Sequence, residues 1–196
     1  MSDLDSMDYK TQRANPVKTY HLVNQHTFTA KQLEIQQDGH VILWANTKTS
    51  VFKSPVITLA SQTAPVVAAC TLENFSSSVR YYLGDPGTTN KSTWPICKAE
   101  GIFTKSYSLQ LSDGRILQWK HTHNKELGAS RMGSKTFKLV DGSGIVLAVF
   151  VHTQCVFKAH QVARIEYHTE LGEELELASL IAMLGIQEMI RRNERA

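Results

Sequence analysis

The stretch Leu175-Glu176-Leu177-Ala178-Ser179-Leu180-Ile181-Ala182-Met183-Leu184-Gly185-Ile186-Gln187-Glu188-Met189-Ile190 decides how the rest of the chain is read. Glu173, Glu174 and Glu176 open it, and Arg191, Arg192 and Arg195 close it. Negative charge at the start and positive charge at the end complement a helix dipole, so the order predicts a helix. Its expected span is about 173–192. The apolar residues point in nearly every direction around the axis, whereas a surface helix would show one stripe. Such a helix is buried in protein or in lipid. A membrane span needs about 20 apolar residues. Here the dry run is only Leu177 to Ile186, and Gln187-Glu188 ends it. The segment is expected to be a core helix, with Leu177, Leu180, Ile181 and Leu184 as its structural positions, and not a transmembrane segment.

Upstream of this helix the texture is β. Thr19 to Val23 is a first strand-like run. Leu33 to Gln37 and Val41 to Trp44 flank Asp38-Gly39, a dipeptide that tolerates the positive φ of a tight hairpin turn. Val56 to Leu59, Val66 to Leu72 and Val79 to Leu83 come next, and Gly84-Asp85-Pro86-Gly87 breaks the chain. Thr88 to Thr93 reads as a loop. From Ile102 to Leu111 the drier residues Phe103, Tyr107, Leu109 and Leu111 fall on one face of a period-two pattern. Asp113-Gly114 then leads into Ile116 to Trp119, and Lys135 to Val140, Ile145 to Val151 and Val162 to Tyr167 complete the set. Residues 1–16 are polar, end at Pro16 and read as a disordered tail. Residues 17–196 read as one domain. Many strands leading into one apolar helix suggest an antiparallel sheet curled into a barrel, with the helix as its plug; closure also removes exposed sheet edges.

The two hairpins echo one another. Leu33-Glu34-Ile35, Asp38-Gly39 and Trp44 recur as Leu109-Gln110-Leu111, Asp113-Gly114 and Trp119, with the tryptophan at the same distance from the glycine.

Hydrophobic residues make up 42% of the 196 and charged residues 20%, as in ordinary globular proteins. The net charge of +3 is unevenly spread. Residues 17–165 carry 16 Lys or Arg against 8 Asp or Glu, while residues 166–196 carry 7 Glu against 3 Arg. A basic middle favours anionic partners: phosphates, phospholipid head groups or nucleic acid. Cys70, Cys97 and Cys155 are odd in number and far apart, so neither a zinc knuckle nor a disulfide framework is indicated. The first residues are acidic and lack the apolar core of a secretory signal. Both features predict a reducing, intracellular and cytoplasmic setting, peripheral to membranes if lipid is the partner.

Many short strands, a DG–W hairpin in each half and a terminal apolar helix ending in arginines resemble the tubby C-terminal-like superfamily. That group holds the tubby proteins, the LURP-one-related proteins and the phospholipid scramblases, and the chain resembles in particular small uncharacterised fungal members. It spans about Val17 to Arg192. The resemblance implies a mainly β fold (α+β by strict count): a closed antiparallel barrel of about twelve strands around a central hydrophobic C-terminal helix. It also implies a non-enzymatic, lipid-facing or scaffolding role. Tubby proteins hold phosphoinositides through basic residues, and no Lys-x-Arg pair is present here to carry that site over. The Cys-rich acylated segment of scramblases is absent as well.

Catalytic patterns are weak. Gly128-Ala129-Ser130-Arg131-Met132-Gly133-Ser134-Lys135 approaches a P-loop, but Ser and Lys are swapped and a strand pattern comes where a helix should open. A milder reading is a basic loop: Lys120, Lys125, Arg131, Lys135 and Lys138 cluster with glycine N–H groups that could hold a phosphate. His121 and His123 share the i, i+2 spacing of two metal ligands but lack a third. His152, His160 and His168 are scattered, and Cys155 reads more readily as a buried side chain than as a nucleophile. The carboxylates Asp38, Asp85, Asp113 and Asp141 fall in turns, which leaves little for paired acid–base work. Trp44 and Trp119 read as core or hairpin packing. The expectation is a protein without cofactor or metal that binds anionic phospholipid head groups or a protein partner. Two alternatives stay open: a nucleic-acid-associated regulator, and an enzyme acting on a small ligand at the barrel mouth.

Overall fold

The computed structural model describes residues 15–27, 30–50, 53–73, 77–101, 106–129, 135–152 and 161–194. The tail 1–14, Phe103, Arg131 with the centre of the P-loop-like stretch, Cys155, His160 and Arg195 lie outside them.

Twelve strands form one closed antiparallel barrel. They are β1 (Lys18–Thr27), β2 (Ala30–Gln37), β3 (His40–Ser50), β4 (Lys53–Ala60), β5 (Ala68–Leu72) and β6 (Ser78–Leu83), then β7 (Ile96–Ala99), β8 (Ser106–Gln110), β9 (Ile116–His121), β10 (Phe137–Val140), β11 (Val146–His152) and β12 (Gln161–Tyr167). Each pairs with its neighbour in sequence, and β1 pairs with β12 to close the ring. The helix α1 (Glu173–Asn193) runs through the interior. The expected architecture is thus present, and among the described residues no helix is long and apolar enough to cross a membrane.

The core is the inner face of the barrel together with the helix. Leu22, Ile35, Leu59, Leu109, Trp119 and Ile165 point inward from six strands and are almost wholly buried. They meet Leu180, Ile181, Met183 and Ile186 of α1, each 0% exposed. Leu184 is also buried, whereas Leu177 is only partly so and packs against the edge of the core. Each large side chain buried there contributes roughly 1.5–3 kcal/mol of gross hydrophobic stabilisation. Burial all around the axis explains why α1 shows no polar stripe.

Two features go beyond the sequence reading. The strand β7 has no counterpart among the sequence-based runs: four residues after Pro95 are too few to show an alternating pattern, and only their pairing with β6 and β8 defines them. The two tryptophans of the echoed hairpins also part company. Trp119 is completely buried, while Trp44 is partly exposed beside the inward Ala45. The cause is local. Asp38 and Gly39 form a two-residue turn with φ of 50° and 80°, and the register then slips by one residue between Ile35 and Gln36. That bulge reverses which residues of β3 face inward. The second hairpin instead closes three residues, with Gly114 alone at positive φ, and its ladder has no slip.

Candidate functional site

In an up-and-down barrel, alternate connections lie at alternate ends. The turns carrying Asp38, Asp85, Asp113 and Asp141 are all of one parity, as is the Leu171–Gly172 link into α1. These aspartates therefore gather with Glu170, Glu173 and Glu174 at the end where the helix enters. At the opposite end lie Lys48, Lys98, Lys120, Lys125, Lys135 and Arg192, outnumbering Glu73, Glu100, Glu126 and Glu194 there. The charge that is basic in mid-chain and acidic at the C-terminus is polarised along the barrel axis.

The predicted basic cluster is brought together in part. Lys120 on β9 and Lys138 on β10 are directly opposite one another across the ladder. Both lie on the outer face, because their neighbours Trp119 and Leu139 are buried inside. Among the described residues neither forms an ion pair. Lys120 lies near Glu100, whose carboxyl is held below its ordinary range chiefly by the Ser108 hydroxyl and also by Gln118, Ser106 and Lys120. Lys125 is exposed on the 3-10 turn Lys125–Leu127, whose Leu127 packs on Val149 and Val151 outside the barrel. Lys135 sits elsewhere, at the barrel rim, and donates to Glu194 Oε2 at 2.5 Å.

The helix crosses the barrel obliquely. At its start Glu176, 4% exposed, accepts from Lys18 Nζ at 2.8 and 2.9 Å and from Tyr20 Oη at 2.8 Å on β1. Tyr167 Oη on β12 lies 3.1 Å from Ser179 Oγ and donates to the Glu176 carbonyl. Further along, α1 presses on β5 and β6: a Cβ at Gly185 would stand 2.4 Å from Val79 Cγ1 and 3.1 Å from Cys70 Sγ. Leaning one way at its start and the other way later leaves a gap at each end, on opposite sides.

At the acidic end a cavity of about 490 Å³ opens between Tyr81, Leu111 and Leu175, with Asp113, Glu173 and Glu174 on its rim. At the basic end a cavity of about 340 Å³ separates α1 from β1, β2, β3, β11 and β12. Its floor is apolar: Leu22, Ala45, Phe150, Ala163 and Leu184. Its mouth is polar: Asn24, Thr47 and His152 line it from three strands, joined by Lys135, Gln187, Glu188 and Arg191. Burial, and secondarily Lys135, holds the His152 imidazole below its ordinary range, and its Nδ1 has no partner among the described residues. Glu188 accepts from Arg191 at 2.5 and 2.6 Å and from Arg192 at 3.1 Å. Burial pushes that carboxyl up, and these bonds more than reverse it. Sequence reasoning passed over this mouth. The available signal was a polar residue at an inward strand position, which becomes legible only once the inner face is known.

Other candidates carry no chemistry. His121 and His123 touch edge to face at 4.5 Å, and no group of three ligand-type residues occurs among the described residues. Cys70 and Cys97 are free and buried. Burial pushes both thiols up, that of Cys97 to about 12, which disfavours the nucleophilic thiolate.

No family model, curated protein or solved structure matches the chain.

Proposed function

We propose that this protein is a non-enzymatic barrel that binds anionic phospholipid head groups through its basic end, the role implied by its resemblance to the tubby-like superfamily. The observation that carries this reading is the charge polarisation along the barrel axis, centred on Lys120 opposite Lys138. Like charges directly opposed on a sheet cost roughly 0.2–1 kcal/mol each pair, a cost that a bound anion relieves. A lysine near an anionic membrane surface contributes about 1 kcal/mol. Three or four lysines therefore give an association of about millimolar strength, weak and sensitive to salt. The twelve-stranded barrel with its buried terminal helix supports the family reading, and the buried free cysteines fit a reducing, cytoplasmic setting in which the protein is peripheral to the membrane.

Flotation with vesicles of phosphatidylcholine, with and without phosphatidylserine or a phosphoinositide, tests this. Binding to the anionic vesicles at low salt is expected, lost as salt rises. Absence of binding at low salt, or undiminished binding of the Lys120→Glu/Lys138→Glu variant, would overturn it.

A further inference from the structure

The cavity at the basic end has a layered chemistry that the head-group reading does not use. Its floor is made by Leu22, Ala45, Phe150 and Leu184, and each of these is buried inside the barrel. Above it the inward positions turn polar on three strands at the same level, with Asn24, Thr47 and His152. A barrel interior packed only for stability would continue with apolar residues or be filled by the helix. Here the helix cannot fill it, since Gly185 draws α1 against Val79 and Cys70 on the far wall. About 340 Å³ is left, within the usual ligand-pocket range of roughly 300–1,000 Å³.

The mouth selects charge. Lys135 and Arg191 reach it from just before β10 and from the last turn of α1. Their carboxylate partners differ in depth: Glu194 is exposed, whereas Glu188 is buried and held by both Arg191 and Arg192. Arg191 holds Glu188 through Nε and Nη2, which leaves its Nη1 for an anion, and Lys135 can leave an exposed partner at little cost, because surface ion pairs are worth about 0–1 kcal/mol. Two cations can thus be offered to an incoming anion. His152 Nδ1, buried and without a partner among the described residues, is a further polar atom at the mouth.

We infer that this cavity binds a single-chain amphiphile with one anionic head, of the medium-chain carboxylate class. The chain lies on the Leu22–Phe150–Leu184 floor, and the carboxylate meets Lys135 and Arg191 at the mouth. The site is distinct from the outer Lys120–Lys138 patch.

Decanoate is the probe, with decanol and decyltrimethylammonium as controls. Titration into uniformly labelled protein, monitored by methyl NMR, should give saturable shifts at Leu22, Ala45, Ala163 and Leu184. Decanol should bind at least ~10-fold more weakly and the cationic amphiphile more weakly still. Ala45→Met, which fills the floor, should weaken decanoate by at least ~10-fold while the barrel still unfolds cooperatively. Lys135→Gln should narrow the gap between decanoate and decanol. Should Ala45→Met fail to fold, the wild-type shift map decides alone. Three results would each overturn the inference: no saturable shift up to about 1 mM, shifts confined to the acidic-end cavity, or equal affinity for decanoate and decanol. Lys120→Glu/Lys138→Glu should leave decanoate binding intact, so failure of the vesicle experiment and failure of this one are told apart.

Discussion

Gly185 and Val79 are in such close contact that a Cβ on the glycine would lie 2.4 Å from Val79 Cγ1. The backbone of α1 thus touches the inner wall of the barrel with no side chain between. Alanine at 185 would gain about 1 kcal/mol of helix propensity. It would also overpack a site walled by a stiff β-branched residue, at a cost of about 1–3 kcal/mol. The cost is expected to win. Gly185→Ala should lower stability by up to about 2 kcal/mol in urea unfolding, and adding Val79→Ala should recover part of that loss. An alanine variant as stable as the wild type would mean that the helix is free to shift.

The plug itself can be tested. Leu180 and Ile181 are 0% exposed. Either one changed to alanine should cost about 2–5 kcal/mol. A chain ending before Glu173 should show no cooperative unfolding transition by circular dichroism, because the inner faces of the strands would have nothing to pack on. A soluble, cooperative barrel without the helix would refute the plug.

Lys18 and Glu176 should respond unequally to mutation. The Glu176 side chain is 5% exposed and that of Lys18 is 33% exposed. Removing the carboxylate leaves an ammonium that can turn to water. Removing the ammonium leaves a buried carboxylate with, among the described residues, only Tyr20 Oη to meet it. Lys18→Met should therefore destabilise by more than Glu176→Gln, with Lys18→Met at about 2–3 kcal/mol. The reverse order in chemical denaturation would show that Tyr20 and the backbone suffice to hold the carboxylate.

His152 gives stability a pH dependence of known sign. Burial lowers its folded-state pKa from the ordinary value of 6.5. The unfolded chain then binds more protons than the folded one just below that value. The contribution is fully present above about pH 6.5 and is lost as pH falls from there toward the lowered folded value. The drop in Tm between pH 7 and pH 5 should be smaller in His152→Gln than in the wild type. An equal drop would place the imidazole in a more solvated setting than the structure shows.

Lys138→Glu separates stability from binding. It converts the Lys120–Lys138 opposition into an attractive cross-strand pair, a gain of about 0.2–1 kcal/mol. The same change removes positive charge from the basic end. Thermal stability should rise slightly while retention on anionic vesicles falls. If both fall together, the patch is structural.

Much of this architecture is legible in the chain. The order of Glu173 and Glu174 before Arg191 and Arg192 marks both ends of the helix. The ten-residue dry run from Leu177 to Ile186 is too short for a membrane yet apolar on all sides, so it requires a surrounding wall. Period-two alternation supplies most of that wall. These features are local, and local spacing is what a sequence records. Tertiary structure decided the rest. β7 exists because β6 and β8 offer it hydrogen bonds, not because four residues specify a strand. The one-residue slip in β2–β3 turned Trp44 outward while its counterpart Trp119 stayed in the core. The parity of the turns sent the aspartates to one end of the axis and left the lysines at the other. Gly185 set the lean of the helix, and that lean opened the cavity between Leu184 and Phe150. Which way a strand faces and where a helix rests depend on contacts between residues distant in sequence.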